Sequence, residues 1–249
     1  MWTEGRYIER VIWRQEPPEG SYLRGLPVVR YLRQTGTLRF HAPVTFLVGE
    51  NGTGKSTLLE AIAVAAGFNA EGGTRNFDFS TSSTHSELHR CIALGRCAYP
   101  KDGFFLRAES FYNFATNVDQ LEREMPGLLE SYGGVSLHGQ SHGESFLSLV
   151  LNRFGGKGLY LLDEPEAALS PMRQLSLLAA LNELVKQDSQ FIIATHSPLL
   201  MAFPGAEVLE LSDDGIRSVD YRETEHYRVM RQFLEQPERM LHYLLEEQE

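Results

Sequence analysis

Nine consecutive residues, Gly49-Glu50-Asn51-Gly52-Thr53-Gly54-Lys55-Ser56-Thr57, combine the residue types that bind phosphate. The glycines let the backbone curl until successive N–H groups point inward, and a lysine and two hydroxyls follow at once. Gly49, Asn51, Gly52, Thr53 and Gly54 form the cradle, Lys55 brings a full positive charge to the β- and γ-phosphates, and Ser56 offers a hydroxyl to Mg²⁺, with Thr57 closing the run. Lysine is scarce in this chain, 4 against 19 arginines, so its presence at this point of the pattern carries weight.

A hundred residues further on, the apolar run Leu159-Tyr160-Leu161-Leu162 ends in Asp163-Glu164-Pro165. An aspartate at a strand's carboxyl end can hold Mg²⁺ through water, and the adjacent Glu164 can orient or deprotonate an attacking water. His196 directly follows a second apolar run, Phe191 to Thr195, which makes it a candidate sensor of a terminal phosphate. Asp163 and Ser56 are thus the candidate metal ligands, and Glu164 and His196 the candidate catalytic residues.

These groups converge only if the elements carrying them end at one sheet edge. VTFLV at 44–48 reads as a short buried strand leading into the loop, and Lys55 to Ala66 as the helix after it. LYLLD at 159–163 and FIIAT at 191–195 read as further buried strands, separated by an amphipathic helix over Pro171–Gln187. Strand and helix in alternation imply a mostly parallel sheet, an α/β fold of the P-loop type. Residues 6–14 and 27–41 alternate apolar and polar positions around Pro17, Pro18 and Gly20, which predicts an N-terminal antiparallel β layer. The Gly-, Asn- and Ser-rich stretch 67–86 reads as a surface excursion, and FFLRAE at 104–109 as a strand. Helical patterns near 119–131 and 144–153, split by Gly133-Gly134, predict a small helical subdomain inserted at about 111–155 of a single domain covering 1–249. EVLEL at 207–211 and residues 216–221, joined through Asp213-Asp214-Gly215, read as a hairpin before a helical tail.

Composition narrows the function classes. With 42% hydrophobic residues the chain can build a real core, and its net charge of −10 disfavours general attraction to a phosphate backbone, although a local basic patch would leave nucleic-acid binding open. No apolar run reaches the roughly 18 residues of a membrane span and no signal-peptide core precedes the first strand, so a soluble cytoplasmic protein without membrane insertion is expected. Cys91 and Cys97 lack zinc-type companions and read as reduced structural thiols.

Taken in order, these motifs resemble the ABC ATPase superfamily over Val44 to Pro198. GENGTGKST is similar to its Walker A loop, LYLLDEP to Walker B with the catalytic glutamate, Glu166 to Ser170 to the D-loop, and ATHSP to the switch-histidine segment. Ser141-His142-Gly143-Glu144-Ser145 occupies the place of the family signature, and Glu109 that of the Q-loop glutamine. The resemblance implies an ABC-type nucleotide-binding domain that takes ATP and Mg²⁺ and hydrolyses ATP in an ATP-dependent homodimer, coupled to an unknown effector. Ser141, Gly143 and Glu144 of one copy would then cap ATP held by the other. His142, Ser170 and Glu109 depart from the transporter pattern, and the wording DEPEAALSP looks closer to the soluble SMC, Rad50 and RecF-like branch, especially to small stand-alone bacterial ATPases. A transporter subunit, a DNA-repair or defence-associated ATPase and a small-molecule kinase are the alternatives. Tyr22 and Tyr31 both precede the loop, and either could stack on adenine.

Overall fold

The computed structural model describes residues 6–74, 86–108, 110–124 and 126–245. In chain order its strands are β1 (Ile8–Trp13), β2 (Thr37–Arg39), β3 (Val44–Gly49), β4 (Ile92–Arg96), β5 (Asp102–Arg107), β6 (Gly158–Asp163), β7 (Gln190–Ala194), β8 (Glu207–Ser212) and β9 (Gly215–Val219). Its α-helices are α1 (Pro27–Thr35), α2 (Lys55–Ala66), α3 (Leu88–Cys91), α4 (Phe111–Glu124), α5 (His142–Arg153), α6 (Pro171–Lys186), α7 (Pro198–Met201), α8 (Glu225–Glu235) and α9 (Pro237–Leu245).

Every residue of β3, β6 and β7 is buried, as strands covered on both faces must be. They form the centre of a six-stranded sheet of order β5-β6-β7-β3-β8-β9, parallel except for the β8–β9 hairpin. Alternate side chains feed two cores. Leu159 and Leu161 pack with α1, α2 and the small sheet, while Tyr160 and Leu162 pack with α4, α5 and α6. The second sheet, β2-β1-β4, is antiparallel, as expected of an N-terminal β layer. A buried glutamine docks it on the first: Gln190 Oε1 accepts from Tyr7 N at 2.7 Å and Ile8 N at 2.9 Å, and its amide donates to Ile8 O at 2.8 Å.

Two expectations fail, for the same physical reason. Residues 27–35 are a helix, not a strand: Val28, Val29 and Leu32 are buried at helical spacing, Pro27 opens the first turn, and Gly36 at φ 71° closes the last. Only β2 of that segment is extended, and the third strand of the layer is β4. Likewise the helix expected near 119–131 is α4, which buries Phe111, Phe114, Ala115 and Val118 and ends before Gly127. In both places an i, i+3, i+4 pattern overrode a weaker local signal. Residues 75–85 of the expected surface excursion lie outside the described residues, as does Glu109.

The helical segment between β5 and β6 is anchored at the sheet's base. Arg153, at the end of α5, pairs with Asp102 at 3.0 Å, and the buried Tyr160 hydroxyl contacts Asp102 at 2.9 Å and accepts from Gly155 N at 2.7 Å.

At the other edge, Gly49 turns out of β3 at φ 132°, and a Cβ there would lie 2.1 Å from the backbone oxygen of Leu211. Gly49→Ala therefore meets both a φ that L-residues rarely adopt and a backbone collision. It is expected to destabilise the fold by about 3 kcal/mol or more. Denaturant unfolding checks this, and a loss under about 1 kcal/mol would contradict it.

Candidate functional site

The site begins where β3 ends. Gly52 and Gly54 adopt φ 84° and 96°, and Gly54 is the N-cap of α2 without any side-chain cap. The first N–H groups of α2 are thus not taken by a cap side chain, and they add their partial positive charge to the loop. Thr53 Oγ1 donates to Glu50 O at 2.9 Å and pins the loop's curve. Asn51 and Gly52 are exposed at its crest, and Thr57 lies half-buried in the first turn of α2.

Lys55 is 4% exposed, and its ammonium donates to Gly49 O at 2.8 Å and Glu50 O at 2.9 Å. Burial pushes its pKa down, opposed by the carboxylates of Glu164, Asp163 and Glu166. A buried cation amid oxygen acceptors, beside a helix N-terminus, is a receptor for a polyanion.

Ser56 Oγ donates to Asp163 Oδ1 at 2.9 Å, bringing together the two expected metal ligands. That spacing fits Mg²⁺, since neighbouring oxygens of an octahedron with about 2.05 Å metal–oxygen bonds lie about 2.9 Å apart. Among the described residues no cluster of three or more His, Cys, Asp or Glu could hold a metal, so water or phosphate must complete such a shell. Arg107, paired with Asp102's strand neighbour β6 through the register Arg107↔Asp163, reaches Glu60 Oε2 at 2.8 Å and Asp163 Oδ2 at 3.6 Å. It buttresses the aspartate from the side away from Ser56.

Glu164 departs from the strand in the left-handed region at φ 51°, a conformation that costs a non-glycine residue about 1–2 kcal/mol. Its N–H donates to Ala194 O at 2.9 Å, which ties the bend to β7. The carboxylate is left half-exposed at the strand edge, with Oε1 3.7 Å from His196 Nε2. Glu166 turns inward instead. Its Oε1 accepts from His196 N at 2.5 Å, Oε2 is buried with no hydrogen-bond partner within 3.5 Å among the described residues, and burial raises its pKa.

Ser141, Gly143 and Glu144 sit together elsewhere. Ser141 N and Oγ both donate to Glu144 Oε2, at 3.0 and 2.7 Å, and Arg173 of α6 reaches Ser141 Oγ at 3.2 Å and Glu144 Oε1 at 2.9 Å. These bonds hold the Glu144 carboxyl below its usual range. A Cβ on Gly143 would lie 2.8 Å from Ala168 O, so the signature turn packs directly on the D-loop segment. Among the described residues no hydrogen bond or ion pair joins this cluster to residues 49–57. Tyr31 packs on the core and on the β8–β9 hairpin, whereas Tyr22 is 66% exposed.

Glu166 was expected as the first residue of the D-loop-like segment, and three contributors were not legible as site residues: Arg107, Arg173 and His226. The last lies in the first turn of α8, with Nε2 2.8 Å from His196 Nδ1. Beside it a groove of about 790 Å³ runs from Glu50, Asn51 and His196 to Val229, Phe233 and Leu244 of α8 and α9.

Known proteins resemble this chain in sequence and in fold. A family profile described as "AAA domain" matches residues 28–96, and one described as "AAA domain, putative AbiEii toxin, Type IV TA system" matches residues 130–202. The chain is 28% identical over 185 residues to an "Uncharacterized ABC transporter ATP-binding protein" of Haemophilus influenzae, covering 66% of this chain and 68% of that one. Its fold matches that of "a putative metal-chelate type ABC transporter" with a TM-score of 0.50 at 14% identity, over 91% of this chain and 88% of the other. The structure of cbiO1 from Clostridium perfringens, part of the ABC transporter complex cbiONQ, aligns over 97% of this chain and all 100% of its own, at 16% identity and a TM-score of 0.49. The fold is that of an ABC ATPase nucleotide-binding domain, with a mostly parallel central sheet and an antiparallel strand layer.

His196 supplies a test of the site's electrostatics. Its pKa is lowered from 6.5 to about 4, first by burial, then by Lys55 and His226. Between about pH 6.5 and 4 the unfolded chain therefore binds a proton here that the folded chain does not, and the contribution to stability is lost as pH falls through that window. The raised Glu166 carboxyl acts in the opposite sense, so the comparison is between two proteins rather than two pH values. On going from about pH 7 to about pH 5, which crosses the ordinary His value but stays above the ordinary Glu value, the wild type should lose more stability than His196→Gln. Equal losses in denaturant titrations would contradict a half-buried neutral His196.

Proposed function

We propose that this chain, an ATPase built on the ABC nucleotide-binding fold, binds MgATP at the carboxyl edge of its sheet and hydrolyses it between two copies of itself. The observation that carries this reading is the convergence of Lys55, the Ser56–Asp163 pair, Glu164 and His196 on the uncapped N-terminus of α2. Gly49 to Thr57 cradle the phosphates and Lys55 exchanges its loop carbonyls for β- and γ-phosphate oxygens. Ser56 and Asp163 would hold Mg²⁺, which supplies charge neutralisation on the phosphates. Glu164 orients the attacking water and accepts its proton, while His196 lies beside it, 3.7 Å away, at the terminal phosphate.

What supports a homodimer is the separation of the two halves of the machinery. Among the described residues, Ser141 and the start of α5 make no hydrogen bond or ion pair with this chain's own loop, which supports their presentation to nucleotide held by a second copy. No described helix is long and apolar enough to cross a membrane. The Haemophilus relative's name favours, as a second reading, an ATP-binding subunit of a transporter; co-purification with a membrane protein from native cells would establish it.

Two outcomes follow. Lys55→Ala should weaken ATP binding about 100-fold or more, because the remaining N–H donors cannot replace a charge on the β- and γ-phosphates; calorimetry with unchanged affinity would remove the loop from the mechanism. Glu164→Gln should lower turnover by about two orders of magnitude or more, keep ATP bound and accumulate a dimer. Adding Ser141→Arg should keep ATP binding and abolish the dimer. Light scattering with ATP and Mg²⁺ reads this directly, and a dimer that persists in the double variant or ignores ATP overturns the shared-site mechanism.

A further inference from the structure

His226 belongs to no motif, yet it is the nearest polar partner of the His196 ring. The two imidazoles lie 4.8 Å apart by centroid, tilted by 58°, with His196 Nδ1 2.8 Å from His226 Nε2. One of these nitrogens must donate and the other accept, and the surroundings distinguish the two cases. Were the proton on His196 Nδ1, the lone pair of His196 Nε2 would face Glu164 Oε1 at 3.7 Å and then the phosphate, both negative. With the proton on His196 Nε2, the same atom presents a donor to both.

We propose that His226 is a positioning residue: its Nε2–H donates to His196 Nδ1 and thereby fixes His196 as the Nε2–H tautomer that can donate to the γ-phosphate. The assignment deepens the hydrolysis reading above and rests on it for its kinetic consequence, though not for the tautomer itself.

The start of α8 is built to hold His226 in place. Thr224, fully buried, donates to Tyr221 O at 2.6 Å and caps the helix by accepting from Tyr227 N at 3.4 Å. From this fixed turn His226 reaches the ring of His196, which is itself anchored through its backbone N–H on Glu166. The switch histidine is thus held on its backbone by the D-loop and on its ring by the C-terminal helices. A partner that fixes a functional imidazole's tautomer acts through orientation alone, and its loss characteristically costs about 10- to 100-fold at metal sites built the same way.

The test uses the full chain with His226→Leu, which removes the donor, and His226→Gln, whose amide nitrogen can stand where Nε2 stood. In steady-state ATP hydrolysis His226→Leu should lower kcat about tenfold with KM changed less than about twofold, because Lys55 and the loop bind the ground state. His226→Gln should recover most of that loss. Nitrogen-15 spectra of the histidines should show His196 as a single Nε2–H tautomer in the wild type and a mixture in His226→Leu. An unchanged kcat in His226→Leu, a Gln variant as slow as the Leu variant, or a wild-type Nδ1–H tautomer each overturns the proposal. Should the wild type hydrolyse no ATP, the hydrolysis reading fails while the spectra still decide the role of His226.

Discussion

Register between parallel strands is the constraint on which the site depends. Asp163 pairs with Ala194, Leu47 with Ala194, and Gly49 with Leu211, so β6, β7, β3 and β8 deliver their last residues to one edge. A slip of one residue in β6 would turn Asp163 to the opposite face and send the alternating Leu159, Tyr160, Leu161 and Leu162 into the wrong cores. Hydrophobic burial on two faces thus enforces the alignment of carboxylates, lysine and histidine that no polar interaction among them could impose. The small sheet contributes by covering one of those faces, and Gln190 fixes its position with three buried hydrogen bonds.

Held by that register, the polar groups are crowded at a cost. Lys55 is buried near three carboxylates, and Glu164 occupies a left-handed bend. Two loop carbonyls satisfy the lysine and keep the ammonium hydrogen-bonded where water does not reach it. Phosphate oxygens carry more negative charge than carbonyls and accept the same protons, so the exchange proposed for Lys55 would be favourable. Glu166 bears the opposite burden. Burial pushes the pKa of its carboxyl up, opposed by the backbone N–H of His196.

Linear pattern sufficed for much of this. The β3–loop–α2 unit is legible because a β-branched run, positive-φ glycines and a helix follow one another within the span of Val44 to Ala66. The same holds for β6, β7 and α6, whose buried strands and amphipathic helix have distinct periods. Where two periods overlap over a few residues, reading fails: α1 buries Val28, Val29 and Leu32, a spacing compatible at first sight with a strand. Long-range pairs leave no local trace at all. Arg107 meets Glu60 across 47 positions, Arg173 meets Ser141 across 32, and His226 meets His196 across 30. Such partners are set by packing of elements, and Glu109 is beyond the described residues.

The D-loop is where these long-range contacts combine into a mechanical unit. Glu166 binds the backbone of His196 on one side, and on the other Leu169 O accepts from the Gln174 amide, whose Oε1 takes the Ser197 hydroxyl at 2.6 Å. The switch segment is therefore gripped at two consecutive residues by the D-loop and the start of α6. The same stretch carries Ala168 and Arg173, which support Gly143 and Ser141 of the signature turn. Residues 166–174 thus stand between the Ser141 turn, held through Arg173 and Ala168, and His196, held through Glu166. Because Arg173 bonds both Ser141 and Glu144 while Gln174, one residue on, bonds Leu169 and Ser197, the start of α6 links the turn at Ser141 to the segment that carries His196.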